Sequence, residues 1–270
     1  MAQFISNFYS TALKKNTKVV MWIPSVSPDD FLDEVKVSYF DEGSRFQTLY
    51  LLHGSYGGST DWSLLANVER YAQENTLAVV MPEVENSMYI NLEHGENYLE
   101  FCGKELPEFC STVFPLARKR ENRYVGGLSM GGFGTLQLAL AYPETFSKAL
   151  VFSACVDMDS IIKNPITPHG RKMPGSYKRL LVNGNVERMD LYAQLSKRAG
   201  NYEALPSFYF YHGSEDPFLE GTMAYADKLE ELGCDVHKIV KPGKHDWIFW
   251  DAYVQEGIKS LQLSHSTVTE

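Results

Sequence analysis

The sequence is poor in cysteine and has no apolar stretch long enough to cross a lipid bilayer. Its four cysteines, at positions 102, 110, 155 and 234, form no CxxC pair. We therefore expect unpaired, buried thiols in a reducing compartment, and we predict a cytoplasmic protein. The polar N-terminal stretch lacks the apolar segment of a secretion signal, and a membrane-spanning helix needs about 20 consecutive apolar residues. No membrane partner is expected.

An excess of positive charge is also missing. The 270 residues include 25 Lys and Arg against 34 Asp and Glu, a formal net charge of −9. Nucleic-acid binding requires clustered cations that neutralise phosphates, so no nucleic-acid partner is expected. The sequence has no HExxH motif and no Cys/His cluster with the spacing of metal ligands. We therefore expect no metal and no organic cofactor.

Short apolar segments alternate with amphipathic segments along the chain. The predicted strands are 17–23, 47–53, 76–82, 123–127, 148–154, 207–213 and 235–240. The predicted helices are 61–74, 98–114, 130–142, 219–232 and 246–262. Residues 49–52 and 77–81 are apolar throughout, which is typical of central strands covered on both faces. The pattern predicts an α/β fold in one domain over 1–270, a mostly parallel sheet of about eight strands flanked by helices on both faces.

The region from about 155 to 205 interrupts this alternation. It is polar, contains Pro165, Pro168 and Pro174, and includes one helix-like piece at 186–200. We interpret it as a small insertion, or cap, over the edge of the sheet and the mouth of the active site.

The stretch GGLSMGG at 126–132 surrounds one serine with four glycines. Gly127-Leu128-Ser129-Met130-Gly131 matches G-x-S-x-G between a predicted strand and a predicted helix, which is the setting of a nucleophile elbow. In such a turn, side chains beside the serine would clash with the strand and the helix. The alternative is an ordinary glycine-rich turn that happens to contain a serine. The strand–turn–helix setting favours Ser129 as a nucleophile.

A serine nucleophile requires a base, and the base requires an acid that orients it. Asp216 follows the strand at 207–213, and His245 follows the last predicted strand, in the chain order Ser, Asp, His. Glu215 is a rival carboxylate, and Asp216 could instead cap the helix that begins near Phe218. His212 is a rival base, but it precedes the acid in the chain. We predict Ser129, His245 and Asp216 as the catalytic residues.

The segment LYLLHGSYGG at 49–58 is a candidate oxyanion loop. A hydrolytic serine needs two backbone donors for the oxyanion, one after the nucleophile and one after an early strand. Met130 N–H is the first candidate and Ser55 N–H the second, with Tyr56 N–H as the alternative. His53 is either a packing or a hydrogen-bonding residue. Tyr56, Trp62 and Trp247 are candidate substrate-binding residues, although core packing explains them equally well.

Six sequence blocks together carry a family resemblance. They are LYLLHG (49–54), VVMPEVENSMY (79–89), KELPEFC (104–110), GGLSMGGFG (126–134), HGSEDPFL (212–219) and KPGKHDWIFWD (241–251). The chain resembles the esterase D-type branch of the α/β-hydrolase fold, is most like the bacterial tributyrin esterases of the EstA group, and is also similar to S-formylglutathione hydrolases. The resemblance implies the same triad, the same two oxyanion donors, and a serine carboxylesterase acting on short-chain acyl esters. It also favours a homo-oligomer.

Other functions stay open at this point. The same triad could serve an S-formylglutathione-type thioesterase, a carbohydrate acetyl or feruloyl esterase, or an acyltransferase whose acceptor outcompetes water. A hydrolase-fold protein that only binds small molecules is a more remote alternative, because such proteins usually have a broken triad and all three positions are filled here.

Overall fold

A central sheet of eight strands forms the middle of the protein. The computed structural model describes residues 1–32, 39, 41–157, 180, 185–198 and 200–270. The strands in chain order are β1 (Ala2–Ser10), β2 (Lys15–Ile23), β3 (Ser44–Arg45), β4 (Thr48–Leu52), β5 (Ala78–Pro82), β6 (Arg123–Leu128), β7 (Lys148–Phe152), β8 (Ser207–Gly213), β9 (Val236–Lys241) and β10 (Val268–Thr269). The order across the large sheet is β1-β2-β5-β4-β6-β7-β8-β9, and β3 pairs separately with β10.

The larger part of this sheet is parallel. β1 pairs with β2 and β2 with β5 in the antiparallel sense, whereas every pairing from β5 to β9 is parallel. The predicted mostly parallel sheet is therefore confirmed. The carboxyl ends of the parallel strands share one edge, which is where open α/β sheets bind ligands.

Helices cover both faces of the sheet. They are α1 (Pro28–Leu32), α2 (Asp61–Leu65), α3 (Val68–Glu74), α4 (Tyr98–Glu100), α5 (Leu106–Val113), α6 (Met130–Ala141), α7 (Asn185–Arg188), α8 (Leu191–Ser196), α9 (Leu219–Glu231) and α10 (Trp247–Ser260). A π-helical turn at Phe101–Glu105 joins α4 to α5, and a 3₁₀ turn covers Arg120–Asn122. The core has two layers, one between the sheet and α5, α6 and α9, the other between the sheet and α3 and α10.

Three differences from the sequence prediction stand out. β1 was not predicted. The predicted helix at 61–74 is interrupted near Asn67, whose backbone N–H donates to Asp251 Oδ1 at 2.7 Å instead of continuing the helix. Most of the predicted insertion at 155–205 lies outside the described residues, and its helix-like piece forms the short helices α7 and α8.

The cysteines are unpaired, as the sequence predicts, but Cys234 is only half-buried. All four are unpaired, and Cys102, Cys110 and Cys155 are buried. Burial raises the pKa of each of these three thiols well above its ordinary value. Among the helices of the described residues, none combines the length and the apolar character that a membrane span requires.

A single carboxylate in the π-helical turn holds the connection between β1 and β2. Glu105 accepts hydrogen bonds from Ser10 Oγ, from Thr11 N and Oγ1 at 2.7 Å each, and from Ala12 N at 3.3 Å. Burial acts to raise the pKa of Glu105, but these hydrogen bonds outweigh it and hold the pKa below its ordinary value. The carboxylate therefore stabilises the folded chain in its ionised form.

We expect Glu105→Gln to lower the free energy of unfolding by about 1 kcal/mol. The amide NH₂ of the glutamine would face N–H and O–H groups that donate to the carboxylate in the wild type, at a partly exposed site. A group with a lowered pKa contributes stability above its unfolded-state pKa and loses it as the pH falls. The difference between wild type and variant should therefore be full near neutral pH, begin to fall near the unfolded-state pKa of about 4, and vanish only below the lowered pKa of the folded state. Urea unfolding at several pH values measures it. Glu108→Gln, an exposed carboxylate on α5, is the matched control; an equal loss there, or a loss independent of pH, contradicts the assignment.

Candidate active site

Ser129 lies at the tip of a tight turn between β6 and α6. Its φ of 54° and ψ of −114° lie in a region that L residues rarely adopt. A Cβ on Gly127 would lie 2.5 Å from the Gly131 carbonyl oxygen, and a Cβ on Gly131 would lie 2.5 Å from the Leu52 carbonyl oxygen. Only glycine fits at these two positions, which is the physical reason for the G-x-S-x-G spacing. Ser129 N–H donates to Phe152 O at 2.9 Å and ties the turn to β7.

The helix after this turn is buried on every side. Residues 130–140 are all buried, so α6 has no solvent-facing stripe and is a central helix of the fold. Its first intrahelical bond runs from Phe133 N to Ser129 O at 3.0 Å. The N–H of Met130 therefore precedes the helical ladder, at the positive end of the helix dipole. This N–H is the first predicted oxyanion donor.

The structure brings Ser129, His245 and Asp216 together in one hydrogen-bonded chain. His245 Nε2 lies 3.0 Å from Ser129 Oγ, and His245 Nδ1 lies 3.0 Å from Asp216 Oδ2. His245 occupies the loop between β9 and α10, and Asp216 the loop between β8 and α9. The imidazole packs edge-on against Phe218 at 5.1 Å and Trp250 at 4.9 Å between ring centroids. The ring orientation is therefore fixed by packing as well as by hydrogen bonds.

The Asp216 carboxylate is buried but ionised. Its side chain has 0% exposure, and its Oδ1 accepts from Phe218 N–H at 2.9 Å. Burial acts to raise its pKa, but the hydrogen bond and charge of His245, together with Ser153 and the Phe218 amide, lower the pKa below its ordinary value. One Asp216 oxygen therefore binds the amide just before α9, and the other binds His245.

The rival groups do not take part in this chain of contacts. Glu215 is exposed, and its Oε2 lies 3.7 Å from Lys244 Nζ at the surface. His212 is buried, with Nδ1 4.0 Å from Asp216 Oδ2. Burial lowers the pKa of His212 to about 4, against an opposing effect of Asp216, and the ring does not reach solvent. Neither group takes the position of the predicted acid or base.

The loop after β4 lies directly beside Ser129. A Cβ on Gly54 would come within 3.6 Å of Ser129 Cβ. Tyr56 N–H, the alternative oxyanion donor, is bound to Asn86 Oδ1 at 2.7 Å. Ser55 N–H stays the predicted second donor. Tyr56 itself is 53% exposed and has a positive φ of 65°.

The two tryptophan candidates differ in their surroundings. Trp62 is buried, and its Nε1 donates to Leu52 O at 3.0 Å, so it stabilises the end of β4. Trp247 is half-buried and packs edge-on against Trp62 with ring centroids 5.3 Å apart. Of the two, only Trp247 has a surface that faces solvent near His245.

Sequence reasoning assigned no role to several residues that hold this region. Asn86 binds the Tyr56 amide, Tyr89 donates its hydroxyl to His53 O at 2.9 Å, and Ser153 contributes to the lowered pKa of Asp216. Each follows the carboxyl end of a strand, β5 or β7. The strand ends of a parallel sheet meet at one edge, so that placement was the available signal.

Comparison with known proteins supports one family. Residues 29–258 match the model of the Esterase family, whose description reads "Putative esterase". An acetyl esterase of Caldicellulosiruptor saccharolyticus is 33% identical over 261 residues, which cover 94% of this chain and 96% of that protein.

Solved structures give the same result for the fold. The fluorophosphonate-binding serine hydrolase FphF of Staphylococcus aureus matches with a TM-score of 0.79 and 25% identity, covering 96% of this chain and 98% of the other. The S-formylglutathione hydrolase FrmB of the same organism matches with a TM-score of 0.79 and 26% identity over the same shares. The predicted α/β-hydrolase fold is therefore confirmed.

We expect Gly131→Ala to lower the free energy of unfolding by about 1–3 kcal/mol, because the new methyl group must displace backbone of β4. Gly221→Ala, in the first turn of α9, is the matched control, since its Cβ would meet only an ordinary contact at 3.5 Å. Ala is favoured over Gly in a helix by up to about 1 kcal/mol, so the control should be neutral or stabilising. Thermal unfolding measures both, and equal melting temperatures for the two variants would contradict the steric argument.

Proposed function

The chain belongs to the Esterase family and is a serine esterase, and on that premise we propose that it hydrolyses short-chain acyl esters through Ser129, His245 and Asp216. The observation that carries the proposal is the unbroken chain of two 3.0 Å contacts from Ser129 Oγ through His245 to Asp216. It joins a strained serine, an imidazole held by packing and a buried, ionised carboxylate.

Acylation follows from these contacts. Ser129 Oγ attacks the ester carbonyl carbon while His245 Nε2 takes the hydroxyl proton. Asp216 accepts from Nδ1–H, which fixes the tautomer and stabilises the imidazolium that forms. Met130 N–H and Ser55 N–H donate to the oxyanion of the tetrahedral intermediate. His245 then returns the proton to the leaving alcohol as the carbon–oxygen bond breaks.

Deacylation repeats the same steps with water in place of the serine hydroxyl. His245 Nε2 takes a proton from a water molecule, whose oxygen attacks the acyl-enzyme carbonyl. Collapse of the second intermediate releases the carboxylic acid and returns the proton to Ser129 Oγ. No metal or organic cofactor takes part in this scheme.

The proposal of a short acyl chain rests on two observations. The two chain neighbours of Ser129, Leu128 and Met130, are buried, and so is Phe152, whose carbonyl accepts the Ser129 N–H. The acetyl esterase that is 33% identical to this chain acts, by its name, on an acetyl group. We therefore propose acetyl and other short acyl esters as the substrate class, with Tyr56 and Trp247 beside the acyl or alcohol group.

A thioesterase is the second candidate. The likeness to the Staphylococcus aureus S-formylglutathione hydrolase supports it, and the same triad cleaves either bond. The ratio of kcat/KM for S-formylglutathione to kcat/KM for p-nitrophenyl acetate separates the two functions. A cytoplasmic location, one domain over 1–270 and a homo-oligomer stay proposals alongside these functions.

We expect the wild type to hydrolyse p-nitrophenyl acetate and butyrate faster than octanoate, and Ser129→Ala to be inactive on all three. A fluorophosphonate probe should label the wild type and leave Ser129→Ala unlabelled, because it reacts with the activated serine. Hydrolysis is followed by the absorbance of the released p-nitrophenolate. The rate is expected to fall by about 10⁶-fold in the variant. A folded wild type that cleaves no ester, or a variant that keeps full activity, contradicts the proposal.

We expect Asp216→Asn to lower kcat by about 10⁴-fold, because the amide favours the wrong tautomer of His245. Glu215→Gln, the neighbouring exposed carboxylate, should leave kcat unchanged and is the matched control. Because the pKa of Asp216 is lowered, wild-type activity should not fall through protonation of this residue above about pH 4. Steady-state kinetics across the pH range measure both variants; similar losses in the two would reject Asp216 as the acid.

A further inference from the structure

Three consecutive carbonyl groups at the end of β4 are each held by a side chain. Trp62 Nε1 donates to Leu52 O at 3.0 Å, Tyr89 OH donates to His53 O at 2.9 Å, and His53 Nδ1 lies 2.8 Å from Gly54 O. All three side chains are buried. The backbone that leads to Ser55 is therefore fixed peptide by peptide before any substrate binds.

The contacts of His53 define its tautomer. Gly54 O can only accept, so Nδ1 carries the hydrogen. Val84 N–H can only donate, and it points at Nε2 at 3.3 Å, so Nε2 is the acceptor. Glu83 Oε1 lies 3.7 Å from Nε2, beyond hydrogen-bonding distance, and Glu83 Oε2 accepts from Ser59 N and Oγ. His53 is therefore a neutral ring with its hydrogen on Nδ1.

The Gly54 carbonyl and the Ser55 N–H belong to one peptide group. The described residues contain no cis peptide bond, so these two groups point in opposite directions. The Gly54 carbonyl accepts from His53 Nδ1 at 2.8 Å and from Gly57 N–H at 3.3 Å. His53 is the closer of these two donors, so it fixes the carbonyl most directly and with it the direction of the Ser55 N–H. A Cβ on Gly54 would lie 3.6 Å from Ser129 Cβ, so the direction of the Ser55 N–H matters at the proposed nucleophile.

We propose that His53 is a positioning residue for the oxyanion hole. The Val84 amide keeps its ring in the Nδ1–H tautomer, which is the tautomer that can donate to Gly54 O. His53 touches no reacting atom. It acts through the Gly54–Ser55 peptide, whose N–H meets the oxyanion in the transition state more closely than the ground-state carbonyl. The inference rests on the proposed esterase function and adds to it the residue that sets the second donor.

Two substitutions separate orientation from simple structural loss. In His53→Asn the side-chain amide nitrogen occupies roughly the position of Nδ1 and can still donate to Gly54 O. In His53→Gln the longer side chain carries its amide toward Val84 and leaves Gly54 O without this donor. His94→Gln, an exposed histidine outside the site, is the control for loss of an imidazole.

We expect His53→Gln to lower kcat by about 10- to 100-fold with KM nearly unchanged, since a misdirected donor acts on the transition state. His53→Asn should recover most of this loss, and His94→Gln should match the wild type. A trifluoromethyl ketone, which forms a tetrahedral adduct with the serine, should bind His53→Gln more weakly by the same factor as the loss in kcat/KM. Thermal unfolding confirms that the assays are made on folded protein.

Several results would overturn the inference. One is a folded His53→Gln with wild-type kcat and inhibitor affinity; another is an equal loss in both variants with inhibitor affinity unchanged. If neither variant folds, ¹⁵N NMR of the wild type decides, because the two imidazole tautomers have distinct ring-nitrogen shifts and hydrogen on Nε2 contradicts the inference. An inactive wild type would instead reject the proposed function. If the wild type is active and Ser129→Ala is inactive, the proposed function stands, and the His53 variants test only the inference about His53.

Discussion

The close approach of α6 to the ends of β4 and β7 is the constraint on which the site depends. A Cβ on Gly131 would lie 2.5 Å from Leu52 O, and a Cβ on Gly132 would lie 2.8 Å from Phe152 O. Because α6 lies this close to both strands, the turn at Ser129, the oxyanion loop after β4 and the strand end at Phe152 meet in one place. The parallel strands then deliver Asp216 and His245 to the same edge from the next two loops along the sheet.

Backbone strain is concentrated at this edge. Among the described residues, non-glycine residues with positive φ that follow β4, β5, β6 or β7 are Tyr56, Glu85, Met88, Tyr89, Ser129 and Ser153. Each such conformation costs about 1–3 kcal/mol and persists only where the surroundings hold it. Here the holding contacts are specific, for example Asn86 on the Tyr56 amide and Phe152 O on the Ser129 amide. The strain therefore belongs to the arrangement that presents the serine and its donors.

Much of the fold could be predicted because apolar runs and turn residues repeat in a regular order. All seven predicted strands form, whereas β1 was missed, because AQFISNFYS is an edge strand that mixes polar and apolar residues on both faces. The triad members carried motif and chain-order signals, and the structure brings them together. Asn86, Tyr89 and Val84 carried no motif, only their placement after the end of β5. Their roles depend on long-range contacts of an amide side chain, a hydroxyl and a backbone N–H, respectively. The break in the helix at Asn67 has the same origin, a bond to Asp251 that is distant in the sequence.

Burial of Asp216 links the stability of the fold to the chemistry of the site. Placing a carboxylate in the protein interior is unfavourable unless its oxygens are bound and its charge is compensated. His245 Nδ1 and the Phe218 amide bind the two Asp216 oxygens and so meet the first condition. The same bonds that make the buried charge tolerable also orient the imidazole toward Ser129, so an arrangement that lost the orientation would also leave a buried charge without a partner. The bonds that stabilise the buried carboxylate and the bond that orients the imidazole are therefore the same, so the fold and the geometry of the proposed triad are stabilised together.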